Sequence, residues 1–339
     1  MRLIKTQDAV GQVLCHDITQ IIKGVTKDAV FRKGHVIRPE DIPVLLSVGK
    51  EHIYIWENDD TMLHENDAAE ILRDICMGSG IRATAPKEGK IELIAETNGV
   101  LLVDTDRLNA LNALGDLMIA TRHGGFTVKK GDKLAGTRVI PLVIKKDKME
   151  QAKQVAGAQP LMRVAAFKNK RAGVITTGSE VFHGRVADTF SPVIADKLAE
   201  YGGTIDKHVI LGDDAAAITA AIRDMLDAGL DLVICTGGMS VDPDDRTPLA
   251  IKNSGVHIIS YGAPVLPGAM FLLAYTDDMR PVMGLPGCVM YARRTIFDLV
   301  LPSIMADVPV TAEKLSRYGE GGLCLNCGEC RFPHCEFGK

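Results

Sequence analysis

The chain has 339 residues, enough for two or three domains of ordinary size. Its 46% hydrophobic and 24% charged residues match the composition of a globular protein and exclude a disordered polymer. A formal net charge of −4 supplies no polyanion-binding surface, so nucleic acid is not expected as a partner.

In residues 1–24 the apolar run that a signal peptide needs is interrupted by His16, Asp17 and Lys23. No stretch approaches the roughly 18–20 consecutive apolar residues that span a bilayer. The expectation is therefore a cytoplasmic protein without a membrane partner. In that compartment thiols stay reduced, so the eight cysteines are not a disulfide framework. Cys15, Cys76, Cys235 and Cys288 sit singly among apolar neighbours and read as buried small hydrophobes.

Residues 1–57 read as a small α+β region. A polar turn at Gly34 leads to Pro39, near the start of a helix that carries Ile42, Leu45, Leu46 and Val48 and stops at Gly49. Residues 53–56 form a strand, and the acidic run 57–60, from Glu57 and Asn58 onward, is a boundary. Residues 61–148 read as an α+β domain with helices at 68–75 and 106–114. Its strands fall at 91–95, 99–103 and 136–144, with a turn at 130–132. Nothing in it is a catalytic motif. The lysine-rich segment 145–153 and the stretch 157–160 read as a linker.

From residue 171 onward strands and helices alternate, which predicts an α/β fold on a mostly parallel sheet. Strands are expected at 172–176, 207–210, 231–235, 256–259, 271–275 and 281–283. One helix takes Ser191 as its cap and carries Ile194, Leu198 and Tyr201; another, capped by Asp213 or Asp214, carries Ile218, Ile222, Met225 and Leu226. A closing helix carries Val289, Ala292, Ile296, Leu299 and Val300.

Open α/β sheets bind ligands beyond the carboxyl ends of their strands. Three segments fall there: Thr176 to Glu180, Thr236 to Asp245, and Gly284 to Gly287. Their small residues admit a ligand to the backbone, and their hydroxyls and N–H groups suit a phosphate or a pterin edge. Any one of them alone reads more simply as a tight turn; three at strand ends of one alternating unit read better as a site.

The ordered set Thr177-Gly178-Ser179-Glu180, Asp188-Thr189, Gly212-Asp213-Asp214, Thr236-Gly237-Gly238-Met239-Ser240-Val241 with Asp245, Pro267-Gly268 and Gly284-Leu285-Pro286-Gly287 resembles the molybdopterin-binding domain. That domain is shared by molybdopterin adenylyltransferases, molybdopterin molybdenumtransferases and gephyrin. The resemblance covers residues 171–306 and implies a three-layer α/β/α fold. It also implies a site for molybdopterin or adenylated molybdopterin, and in the molybdenumtransferases Mg2+-assisted insertion of molybdate with release of AMP. By position it puts Glu180 and Asp245 near metal or molybdate, with Asp188 and Asp214 flanking. It assigns the ligand to Thr177, Gly178, Thr236, Gly237, Gly238, Ser240, Pro267, Gly268, Pro286 and Gly287. A homo-oligomer is also implied. The chain departs from the transferase pattern at Ala269, Met270 and Pro248, where lysines are absent, and at Cys288-Val289.

The tail, residues 321–339, spaces its thiols as Cys324-x2-Cys327-x2-Cys330-x4-Cys335. Four thiolates so close suit a soft metal, either Zn2+ or an iron–sulfur cluster. His334 is a lesser ligand candidate.

Three readings follow. The chain is a molybdenum-cofactor enzyme inserting molybdate, or a non-catalytic cofactor carrier or redox sensor serving a molybdoenzyme or another protein of the pathway. The third is a nucleotide-processing enzyme resembling the competence-damage-inducible family, with which Asp244-Asp245 is compatible.

Overall fold

The computed structural model describes residues 2–22, 26–55, 59–240, 242 and 245–339. The sequence readings on Met1, Lys23, Gly24, Trp56, Glu57, Asn58, Val241, Pro243 and Asp244 lie outside the described residues. The chain forms two compact units. One comprises residues 1–94, 103–122 and 132–163, and the other 95–102, 123–131 and 164–339.

In the first unit, Arg2–Lys5 pairs antiparallel with His52–Ile55, and Ile18–Ile22 with Thr26–Phe31. Leu14, Ile18, Ile37, Leu45, Ile53 and Ile55 gather into a small core. The expected helix is Asp41–Ser47. Beyond it lie the helices Glu65–Cys76 and Thr105–Asn112 and a four-stranded sheet that includes Lys90–Ala95 and Lys133–Val139. Two expectations change. The strand expected across 136–144 is two strands, Lys133–Val139 and Val143–Lys145, because Pro141 has no N–H to continue a ladder. The expected linker is the helix Lys146–Ala156, which buries Met149, Ala152 and Ala156 and sends its lysines outward.

The second unit contains the α/β domain. Its strands are β1 (Arg171–Thr177), β2 (Thr204–Leu211), β3 (Leu232–Thr236), β4 (His257–Tyr261), β5 (Leu272–Tyr275) and β6 (Pro281–Leu285). They form one sheet in the order β2-β1-β3-β6-β5-β4. β1 is parallel to β2 and β3, and β3 to β6; β5 runs antiparallel to β6 and to β4. Helices are α1 (Ser179–Phe182), α2 (Phe190–Ala199), α3 (Ala215–Asp227), α4 (Thr247–Asn253), α5 (Ile296–Met305) and α6 (Ala312–Arg317).

Alternation along the central strands buries both faces of the sheet. Val174, Leu232 and Ile234 pack with Ile194 and Leu198 of α2 and with Ile296, Val300 and Ile304 of α5. Ile175, Val233 and Cys235 pack with Ile218, Ile222 and Met225 of α3 and with Ala250 and Ile251 of α4. The result is a three-layer α/β/α domain on a mostly parallel sheet, as the alternation of elements predicts.

Helix starts differ from two expectations. Ser191 lies inside α2, and its role falls to Asp188, whose carboxylate accepts the N–H groups of Phe190 and Ser191 at 2.9 and 3.3 Å. The closing helix does not begin at Val289: Gly287–Met290 is a 3-10 turn, and α5 starts where Thr295 and Asp298 form a capping box. α4 is a helix that the sequence reading does not name.

Candidate functional site at the carboxyl edge of the sheet

Topology sets which loops meet. β1, β2, β3 and β6 are parallel, so the segments after Thr177, Leu211, Thr236 and Leu285 leave the sheet at one edge. Tyr261 pairs with Leu272 and Leu272 with Gly284, so the connection 262–271 lies at that edge too. All the sequence-predicted ligand segments are therefore on one side of the sheet, at the position where open α/β sheets bind ligands.

Thr177 organises the centre of this edge. Its hydroxyl donates to the Thr236 carbonyl at 3.0 Å and stands 3.1 Å from the Thr247 hydroxyl at the start of α4. A Cβ on Gly237 would lie 2.1 Å from the Thr177 carbonyl oxygen, and Gly237 has a φ of +81°. Only glycine admits both the contact and the backbone conformation. Gly238 (φ +54°) accepts the Thr247 N–H at 3.3 Å, which ties the 237–240 turn to α4. Thr236 is fully buried, and its hydroxyl has no partner among the described residues. Ser240 and Gly287 are exposed.

The four carboxylates divide. Glu180 is exposed in α1; a Cβ on Gly178 would stand 3.1 Å from its Oε1, so this carboxylate folds back over the turn. Asp245 is half-buried, and its N–H donates to the Asp242 carbonyl at 3.0 Å. Its charge acts on Tyr261, whose phenol is pushed up, first by burial and then by Asp245. That phenol donates to the Met239 carbonyl at 3.0 Å.

Asp188 and Asp214 are engaged elsewhere. Asp214 caps α3 through the Ala216 N–H at 2.8 Å. Asp188 caps α2 and also faces His208 Nε2 at 3.3 Å. Burial alone would raise the Asp188 carboxyl, but hydrogen bonds from Ser191 and Phe190 and the adjacent His208 hold it below the usual range.

His208 is a residue that the sequence reading passes over as part of a strand. Its Nε2 lies 3.0 Å from the buried Thr176 hydroxyl and faces Asp188 as well. Both partners meet the same ring nitrogen, so the trio is not a nucleophile–base–carboxylate relay, which uses the two nitrogens separately. The outward alternation along β2 is the only sequence signal it leaves.

Pro267 and Gly268 meet the start of α5, where the Ile296 N–H donates to the Pro267 carbonyl at 3.2 Å. Pro286 closes the sheet edge, its carbonyl accepting the Val289 N–H at 3.1 Å. Cys324, Cys327, Cys330 and Cys335 all line one cavity of about 790 Å³. Among the described residues no group of three or more His, Cys, Asp or Glu side chains is arranged around a common metal position.

Comparison with known proteins agrees with this geometry. A family model described as "Probable molybdopterin binding domain" matches residues 173–306, and one described as a domain of unknown function matches residues 3–57. A CinA-like protein of Mycobacterium leprae is 43% identical over 77 residues, 23% of this chain and 18% of that protein. The chain thus spans about a fifth of the length of the curated relatives it matches. Among solved structures, CinA of Thermoplasma acidophilum, of unknown function, has 22% identity and a TM-score of 0.34, covering 40% of this chain and 98% of that one. The tungsten cofactor synthesizing protein MoaB of Pyrococcus furiosus has 21% identity and a TM-score of 0.32, covering 41% of this chain and 90% of that one. Residues 173–306 of this chain belong to the molybdopterin-binding domain family.

Proposed function

We propose that the carboxyl edge of the sheet binds molybdopterin or its adenylated form, and that the chain acts in molybdenum cofactor assembly. The observation that carries this reading is the gathering of the 177–180, 236–240, 267–268 and 286–287 segments at one sheet edge of a domain of this family. The close approach of Gly237 to Thr177 holds the 237–240 turn low against β1, so that Ser240 and the turn backbone face the solvent side of the edge. Hydroxyl and backbone donors in such a turn suit the pterin phosphate.

Magnesium fits this donor set only in one form. No cage of three protein ligands exists among the described residues. A magnesium ion that takes one or two carboxylates and completes its shell with phosphate oxygens and water needs no such cage. Glu180 and Asp245 would supply those carboxylates. The ion would neutralise charge on the phosphates of the bound nucleotide. With no lysine at positions 248, 269 and 270, Arg246 is the nearest cation by position, exposed beside Asp245 at the cap of α4.

The test is an anaerobic incubation of the whole chain with adenylated molybdopterin, molybdate and Mg2+, following AMP. Molybdate-dependent AMP release that disappears in Asp245→Ala supports insertion. Retention of the pterin without AMP release supports a carrier. Wild-type release from Asp245→Ala would refute the assignment of Asp245. A second reading, a nucleotide-processing enzyme, is favoured by the similarity to CinA-like proteins. It expects hydrolysis of an ADP-ribose or pyridine nucleotide and no retained pterin.

A further inference from the structure

The tail is built as a closed loop. Its first end is tied to the sheet edge: Leu323 bridges Leu266, the Leu266 N–H donates to Gly322 O at 2.9 Å, and the Cys324 N–H donates to Leu266 O at 2.8 Å. Its other end is anchored by Phe337, 4% exposed in the domain core with Leu299. The Gly338 N–H then closes the loop on Gly321 O at 3.0 Å.

Between these anchors the chain has little of its own to hold it. Residues 325–331 are all exposed. Within 325–335 one backbone hydrogen bond closes among the described residues, His334 N–H to Arg331 O at 2.6 Å. A loop of this size with so little burial and so few internal bonds needs another source of order. The four thiols are what it contains in common: Cys324, Cys327, Cys330 and Cys335 all face one cavity.

We propose that these four cysteines hold an iron–sulfur cluster at the carboxyl edge of the sheet. Two observations favour a cluster over a single zinc ion. The Cys-x2-Cys-x2-Cys run gives three closely spaced ligands from one strand of chain, the arrangement that wraps adjacent corners of a polynuclear core. The space among the thiols is about 790 Å³, whereas four thiolates close tightly on one zinc ion at about 2.3 Å.

Charge is provided for as well. Arg293 donates to the carbonyls of Cys327 and Gly328 at 3.4 and 2.6 Å, fixing the turn between the second and third ligands. Arg294 reaches the Cys330 side chain. Two guanidinium groups beside a tetrathiolate centre offset its negative charge. Pro267, one of the candidate pterin residues, lines the same cavity, so the cluster would border the ligand edge. The assignment itself does not depend on what that edge binds.

The experiment is anaerobic purification of the full chain, followed by reconstitution with ferrous iron and sulfide. Iron and acid-labile sulfide in equal amounts, with a broad visible absorption that dithionite bleaches by reduction, are the expected result. Cys327→Ser and Cys330→Ala should each lose most of the iron while circular dichroism of the α/β domain stays unchanged. His334→Ala should keep the full complement. One zinc per chain without sulfide, no bound metal after reconstitution, or iron loss in His334→Ala equal to that in Cys327→Ser would each overturn the proposal.

Discussion

A methyl group on Gly237 would stand 2.1 Å from the Thr177 carbonyl oxygen, in a residue already at φ +81°. Neither the strand nor the turn can yield, because the Thr177 hydroxyl is bonded to Thr236 and lies against Thr247. Gly237→Ala is therefore expected to cost about 2–4 kcal/mol of stability, read by urea unfolding. A loss within error of zero would show that the turn is looser than this packing implies. Asp188 gives a pH signature at the same scale. Its folded-state carboxyl lies below the usual aspartate range, so its contribution is fully present above about pH 3.9 and is lost as pH falls through the depressed value. Asp188→Asn should be less stable than wild type at pH 7, with the gap closing below about pH 4. A gap that widens in acid would contradict the assignment of Asp188 as a charged helix cap.

Between elements, α2 and α5 are joined by a buried ion cluster. Lys197 of α2 reaches Asp298 of α5 at 2.5 Å, and Arg294 reaches the same oxygen at 2.8 Å. Asp298 is 3% exposed and also completes the capping box of α5. Removing the one anion strands two cations, so Asp298→Ala should cost about 3–5 kcal/mol in denaturant unfolding. A loss no larger than that of a simple cap, about 1 kcal/mol, would mean that the cations find other partners. Asp298 also shows what kind of residue a sequence hides, since nothing in its neighbourhood marks it as buried.

The elements themselves were legible where one period dominates. Six strands and the stripe of Ile218, Ile222, Met225 and Leu226 follow from spacing, because both sheet faces are buried in layers. The helix Lys146–Ala156 was not legible as such, because its lysines mask a narrow stripe of Met149, Ala152 and Ala156. Of the candidate site, the strand-end turns could be found from their glycines. His208 and the capping duties of Asp188 and Asp214 could not, because pairings across the fold decide them.

At the scale of the whole molecule, no helix among the described residues is long and apolar enough to cross a membrane. The α/β domain brings its ligand-type turns to one edge, and the cysteine loop is fastened to that edge through Leu266. The location of the binding site is the central claim, and hydrogen exchange with and without molybdopterin tests it most directly. Protection on adding the pterin should fall on the amides of 177–180, 236–240 and 286–287, leaving the opposite edge of the sheet unchanged. Protection only in residues 2–55, or none at pterin concentrations that saturate a known binder, would contradict the account.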